Sequence, residues 1–110
     1  MTGVQTCALP ILSQNYPNPF NSATTIEYSI PISSRVKIDI YNLLGQKVKT
    51  VIDEMQPAGS YTSVWDGTDL NGRPISSGVY YYRISTDDLT ETKKLVLLKY
   101  YLKFMEDNIG

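Results

Sequence analysis

The sequence predicts an all-β fold, an Ig-like antiparallel β-sandwich of about six to seven strands. Three observations lead there. Apolar and polar residues alternate with period two in separate short runs. Turn residues interrupt these runs at roughly ten-residue spacing, as in sandwiches of immunoglobulin type. No stretch before residue 100 carries the three-to-four-residue period of a helix of ordinary length.

The first clean run is 24–30 (TTIEYSI), where Ile26, Tyr28 and Ile30 alternate with Thr25, Glu27 and Ser29. Pro31 has no N–H to continue a ladder and ends it. Residues 35–41 (RVKIDIY) place Val36, Ile38 and Ile40 on one face, and Lys37, Asp39 and Tyr41 on the other. A turn around Gly45 leads into 47–52 (KVKTVI), so the two runs form a hairpin. Residues 53–59 (DEMQPAG) read as a loop. Residues 60–65 (SYTSVW) resume the alternation, with Trp65 expected in the core between the sheets. A long polar connection, 66–78 (DGTDLNGRPISSG), follows. Residues 79–86 (VYYYRIST) carry bulk on both faces, which suits a central strand, and 90–99 (TETKKLVLLK) closes the series. The tail 100–110 is compatible with a longer last strand or a short helix.

Length and composition bound the function. A chain of 110 residues makes one small domain. Hydrophobic residues at 42% supply a core, and a net charge of −1 gives no footprint for nucleic acid or an anionic membrane. No apolar run is long enough to span a membrane. The chain has no histidine, so the usual general base and the usual zinc ligand are missing. Its single cysteine, Cys7, cannot form an internal disulfide.

Candidate chemistry is correspondingly thin. Asp66, Asp69 and Asn71 invite a calcium reading, since hard cations take several oxygen ligands. Registered on an EF-hand loop, however, the first and last ligand positions would be Gly67 and Gly78. Asx turns with glycines at positive φ explain the same residues. The carboxylate pairs Asp66–Asp69 and Asp87–Asp88 sit in turns without an apolar pocket to shift a pKa. Ser76 and Ser77 lack a base and a strand–helix elbow. No catalytic residue, cofactor or metal is expected. An exposed Trp65 would instead be a sugar-stacking platform, as in carbohydrate-binding or adhesion modules.

Taken as a set, LSQNYPNPFN at 12–21, IYNLLGQKV at 40–48, AGSYTSVWDGTDLNGRPISSGVYYYRI at 58–84 and KKLVLLK at 93–99 resemble the C-terminal sorting domain (type A) of the type IX secretion system of Bacteroidetes and related bacteria. The stretch WDGTDLNGRPISSGVYYYR also resembles the Ig-like domain of flagellar hook-capping proteins. The first resemblance implies a non-enzymatic signal that directs an exported cargo protein across the outer membrane. Its implied partners are the outer-membrane translocon and a sortase-like peptidase, with the periplasm as transit compartment and secreted or cell-surface cargo. It implies recognition at Lys93, Lys94, Leu95, Val96, Leu97, Leu98 and Lys99, with Gly78, Val79 and Tyr80 shaping the neighbouring strand. A terminal edge strand of this kind could be read by strand addition.

The resemblance sets the expected boundaries: 12–99 as the sorting domain, with the tail 100–110 atypical for it. With a GTG start, residues 1–11 (MTGVQTCALPI) back-translate without a gap to a common short-read sequencing adapter. That segment is expected to be non-biological, with a cargo missing upstream, and Cys7 then carries no redox argument. Within QNYPNPFN, Pro17 and Pro19 bias Tyr16 and Asn18 towards extended backbone and deny a continuous ladder. Tyr16 and Phe20 are expected to tuck against the sandwich, where the incoming linker meets the first strand.

Overall fold

The computed structural model describes residues 10–20, 22–87 and 89–98. Among them are seven strands and no helix: β1 (Ile11–Leu12), β2 (Thr24–Ile30), β3 (Ser34–Tyr41), β4 (Lys47–Gln56), β5 (Gly59–Trp65), β6 (Gly78–Ser85) and β7 (Thr90–Leu97). They form two antiparallel sheets, one ordered β1-β2-β5 and the other β4-β3-β6-β7.

The alternation dictates the sandwich. Ile26, Tyr28 and Ile30 of β2 are buried, as are Val36, Ile38 and Ile40 of β3, Tyr80, Tyr82 and Ile84 of β6, and Leu95 and Leu97 of β7. Each fully buried aliphatic side chain contributes about 1.5–3 kcal/mol. Trp65, at 1% exposure, closes one end of this core. Its ring meets Phe20 at 5.6 Å and Tyr80 at 6.3 Å between centroids, and its indole N–H donates to the Thr68 carbonyl at 3.0 Å. Such tilted aromatic pairs add to plain area burial. As expected for its bulk on both faces, β6 is central, between β3 and β7.

The hairpin extends further than periodicity predicts. Residues 53–56, expected as loop, continue β4 to Gln56. Asp53, Glu54 and Met55 are all exposed on an edge strand, so no alternation marks them. The ladder with β3 carries the extension, Ser34 to Lys37 pairing with Gln56 to Asp53, and side chains add to it: Arg35 pairs with Asp53 at 2.9 Å, and Tyr28 donates to Gln56 Oε1 at 2.7 Å across the sheets. Register shifts after Ile38 and after Ile40 break the pairing rhythm of β3 with β4. The two-residue β1, which opens the three-stranded sheet, is too short to leave a periodic signal. Ile11 pairs with Ser29 and Leu12 with Tyr28.

One local arrangement occurs twice. Gly59 and Gly78 begin β5 and β6 with φ near +155° and +156°, a region that favours glycine. The tyrosine two positions on lies over each glycine and donates to a carbonyl four residues back, Tyr61 to Pro57 and Tyr80 to Ser76. Each unit ties a strand start to its preceding loop, in the manner of a tyrosine corner.

Candidate functional site

The residues singled out for recognition come together at one end of the four-stranded sheet. Gly78, Val79 and Tyr80 are the register partners of Leu97, Val96 and Leu95. Leu95 and Leu97 are fully buried, while Val96 and Leu98 are half-buried. The two adjacent lysines part company. Lys94 is exposed on the outer face, opposite Tyr81. Lys93 alternates to the inner side opposite Tyr82 and lies 4.0 Å from Glu91. Lys99 and the tail 100–110 lie outside the described residues, as do residues 1–9 with Cys7.

Among the described strands β7 has β6 as its ladder neighbour, which leaves its other edge outward. The QNYPNPF segment covers the C-terminal half of that edge. Phe20 N–H donates to the Val96 carbonyl at 3.0 Å, and Leu98 N–H donates to the Phe20 carbonyl at 2.8 Å, forming a parallel bridge from Phe20 to Leu97. Asn18 Oδ1 accepts the Val96 N–H at 3.0 Å, and Gln14 Nε2 donates to the Lys94 carbonyl at 2.8 Å. The same segment bridges to the other sheet, where Tyr16 and Thr25 exchange two backbone hydrogen bonds. It is therefore a clasp that continues β1 along one side of β2 and joins it to the outer edge of β7, and strand addition is left the N-terminal half of the β7 edge.

A buried polar network holds the clasp in place. Asn15, 2% exposed, donates its backbone N–H to the Tyr82 hydroxyl at 2.8 Å, and that hydroxyl donates to the Ser13 carbonyl at 2.7 Å. Asn15 Nδ2 reaches Thr24 Oγ1 at 2.9 Å and the Pro17 carbonyl at 3.2 Å. Burial pushes the Tyr82 hydroxyl up to about 12; the Asn15 N–H opposes this rise and the charge of Glu91 adds to it. The phenol thus stays protonated, as donation to Ser13 requires. Phe20 is buried as expected, but Tyr16 is 79% exposed. Tyr16 is held by its backbone, which leaves its ring in solvent.

The polar connection 66–78 is a pair of Asx turns. Asp66 Oδ1 accepts Thr68 N–H at 3.2 Å and Thr68 Oγ1–H at 2.6 Å; Asp69 Oδ1 accepts the N–H groups of Asn71 at 2.9 Å and Arg73 at 3.0 Å. Gly67 and Gly72 supply φ of 75° and 78°. These bonds hold both carboxyls below the usual carboxylate value, chiefly through the Thr68 hydroxyl for Asp66 and the Arg73 N–H for Asp69. The carboxylates are thus committed to the loop backbone. Trp65 is a core residue, so it offers no platform for a sugar.

Gln14, Asn15, Asn18, Phe20 and Tyr82 complete the β7 end and were absent from the predicted set. Periodicity cannot find them, because the clasp meets β7 about eighty residues along the chain.

Three comparisons bear on this arrangement. Comparison with curated proteins gives no match. Among solved structures, the fold is similar to part of dimeric latent PorU from Porphyromonas gingivalis, with TM-score 0.68 and 20% identity over 89% of this chain. The chain spans 10% of that PorU chain. It is also similar to FlgD from Xanthomonas campestris, with TM-score 0.56 and 23% identity, over 86% of this chain and 70% of that one. FlgD from P. aeruginosa gives TM-score 0.55 and 23% identity, over 81% and 71% of the two chains. Identities this low show a shared fold. The model of the secretion system C-terminal sorting domain matches residues 14–98, from the first residue of the clasp to one residue past β7, and the chain belongs to that family, the sorting signals of type IX secretion.

Proposed function

We propose that the chain is a folded, non-catalytic address label whose readable element is the end of β7 together with its support. The direct determinants are Lys93 to Lys99, and Gly78, Val79 and Tyr80 hold the register of that strand from β6. The observation that carries this reading is the family match over residues 14–98, whose limits coincide with the clasp and the strand it pins. Burial of Leu95 and Leu97 anchors β7, and the side chains left for a receptor are those of Lys94, Val96 and Leu98. The outer-membrane translocon of the type IX pathway engages this end while cargo waits in the periplasm, and a sortase-like peptidase then cuts upstream of Leu12. The cargo ends secreted or on the cell surface. Residues 12–99 form the unit that does this.

The test is a reporter fused ahead of residues 12–110 in a host that carries the pathway. Deleting 93–110 abolishes surface delivery while the reporter still reaches the periplasm. Surface delivery at the full level after that deletion overturns the proposal.

A further inference from the structure

The two outer faces of the sandwich differ sharply in charge. On the β1-β2-β5 sheet the outward positions are Ile11, Thr25, Glu27, Ser29, Ser60, Thr62 and Val64, so Glu27 is the one ionised group among them. The outer face of the β4-β3-β6-β7 sheet is cationic and aromatic. One row across its four strands reads Lys47, Tyr41, Tyr81, Lys94, and the next reads Thr50, Asp39, Arg83, Thr92. Each row spans three interstrand spacings, about 14 Å. A chain of net charge −1 has segregated positive charge onto one rigid surface.

Local neutralisation is incomplete there. Asp39 is 3% exposed and already accepts the Thr50 hydroxyl at 2.7 Å, with Lys37 and Lys47 each 3.8 Å away. Arg35 is paired with Asp53. Among the described residues no carboxylate lies within ion-pair distance of Arg83 or Lys94. Arg83 is nevertheless held in place: its guanidinium lies 5.0 Å from the Tyr41 ring centroid, and its Nε donates to Thr92 Oγ1 at 3.3 Å. The Lys94 backbone is fixed by Gln14. An oriented guanidinium, Arg83, and an exposed ammonium, Lys94, beside two half-buried tyrosines make a surface suited to carboxylates, with arginine able to grip one bidentately.

We propose that this face docks an acidic protein surface of the secretion machinery, its carboxylates meeting Arg83 and Lys94 over the Tyr41–Tyr81 floor. The inference rests on the sorting function and names the chemistry of the partner. A protein surface suits the face better than an anionic membrane. The exposed leucines that could enter a bilayer, Leu43, Leu44 and Leu70, belong to the loops at one end, and this face itself carries a single exposed methionine, Met55, at the edge beside Arg35. The cations also sit at fixed lattice points of a sheet, unlike the flexible basic run that gathers lipid headgroups.

Amide-shift NMR of the full chain with a hexaglutamate peptide tests this. At low salt the amides of Tyr41, Tyr81, Arg83 and Lys94 shift, and affinity falls as salt rises. The double variant Arg83→Glu/Lys94→Glu binds at least tenfold more weakly, with Trp65 fluorescence unchanged as a check on folding. Glu27→Lys on the opposite face leaves binding intact. Peptide shifts absent from this face, or undiminished in the double variant, overturn the inference. So does an unmoved face with the peptide when vesicles of phosphatidylglycerol and phosphatidylethanolamine bind there. In the reporter host, the single variant Arg83→Glu, outside residues 93–99, lowers surface delivery at least fivefold. If it does not, while deletion of 93–110 does, this inference fails and the sorting proposal stands. If the deletion leaves delivery intact, the sorting proposal itself fails.

Discussion

Asn18 Oδ1 accepts the backbone N–H of Val96 at 3.0 Å, across 78 positions of the chain. The last strand is thereby held from outside by the segment that precedes the first long one. Asn18→Ala leaves the outward Val96 N–H without its partner. The expected loss is about 1 kcal/mol in urea unfolding, with faster hydrogen exchange at Val96 than at the inward-facing Leu95. Equal exchange changes at both positions would point to global loosening instead.

Phe20 holds the same edge by packing. It is 2% exposed and meets the Trp65 ring. Phe20→Ala is expected to cost about 3–5 kcal/mol and to alter Trp65 emission. Tyr16→Ala, at a 79% exposed position, changes stability by less than about 0.5 kcal/mol. Chemical unfolding of the two variants side by side measures the contrast.

Gly78→Ala should destabilise by about 1–3 kcal/mol, because φ of +156° is nearly closed to a residue with a Cβ. The added carbon would meet the Tyr80 ring at 3.9 Å, an ordinary contact, so the cost arises from the backbone. Gly45→Ala, in the β3–β4 turn at φ of 82°, is strained as well but far from β7. Both variants lose stability, and only Gly78→Ala perturbs the amides of Leu95 to Leu97. Thermal unfolding and amide spectra separate the two effects.

The alkaline limit of stability should be set by buried phenols. Burial raises Tyr82 to about 12 and also raises Tyr28 above its ordinary value of 10.0. Each folded-state value lies above the unfolded one, so the folded state binds more protons in this range. Stability is then fully present below pH 10 and falls as pH climbs towards 12. Tyr82→Phe removes that titration, and its unfolding free energy should slope less steeply above pH 10. An unchanged slope would show that Tyr82 does not limit stability there.

At the acid end the sign reverses. Asp66 and Asp69 are held below their ordinary value of 3.8 by the loop N–H groups and the Thr68 hydroxyl. Their contribution is present above that value and is lost as pH falls through the lower, folded one. Asp69→Asn keeps one acceptor oxygen but removes the charge, and should leave stability less sensitive to acid. Acid unfolding of the two proteins followed by Trp65 fluorescence reads the difference.

Much of the scaffold was legible in advance, and the reason is local. Burial on one face of a strand imposes period two, and β2, β3 and β5 display it, while β6 shows bulk on both faces; these strands and β7 are bounded to within one or two residues. The Asx turns of 66–78 were equally readable, because Asp66 and Asp69 bind N–H groups two to four residues away. Where the tertiary surroundings supply the order, the pattern is silent. The end of β4 depends on its ladder with Ser34–Lys37 of β3 and on the Tyr28 contact across the sheets, and β1 is too short to alternate.

The sequence by itself determined the two-sheet architecture, the core position of Trp65 and the membership of the sorting family, because all three rest on local patterns or on motifs read in line. Tertiary structure alone decided what the YPNPF segment holds, which way Lys93 and Lys94 face, and that positive charge gathers on one sheet. Those outcomes depend on which strands become neighbours. A backbone donor such as Val96 N–H leaves no mark in sequence of the distant asparagine that will satisfy it.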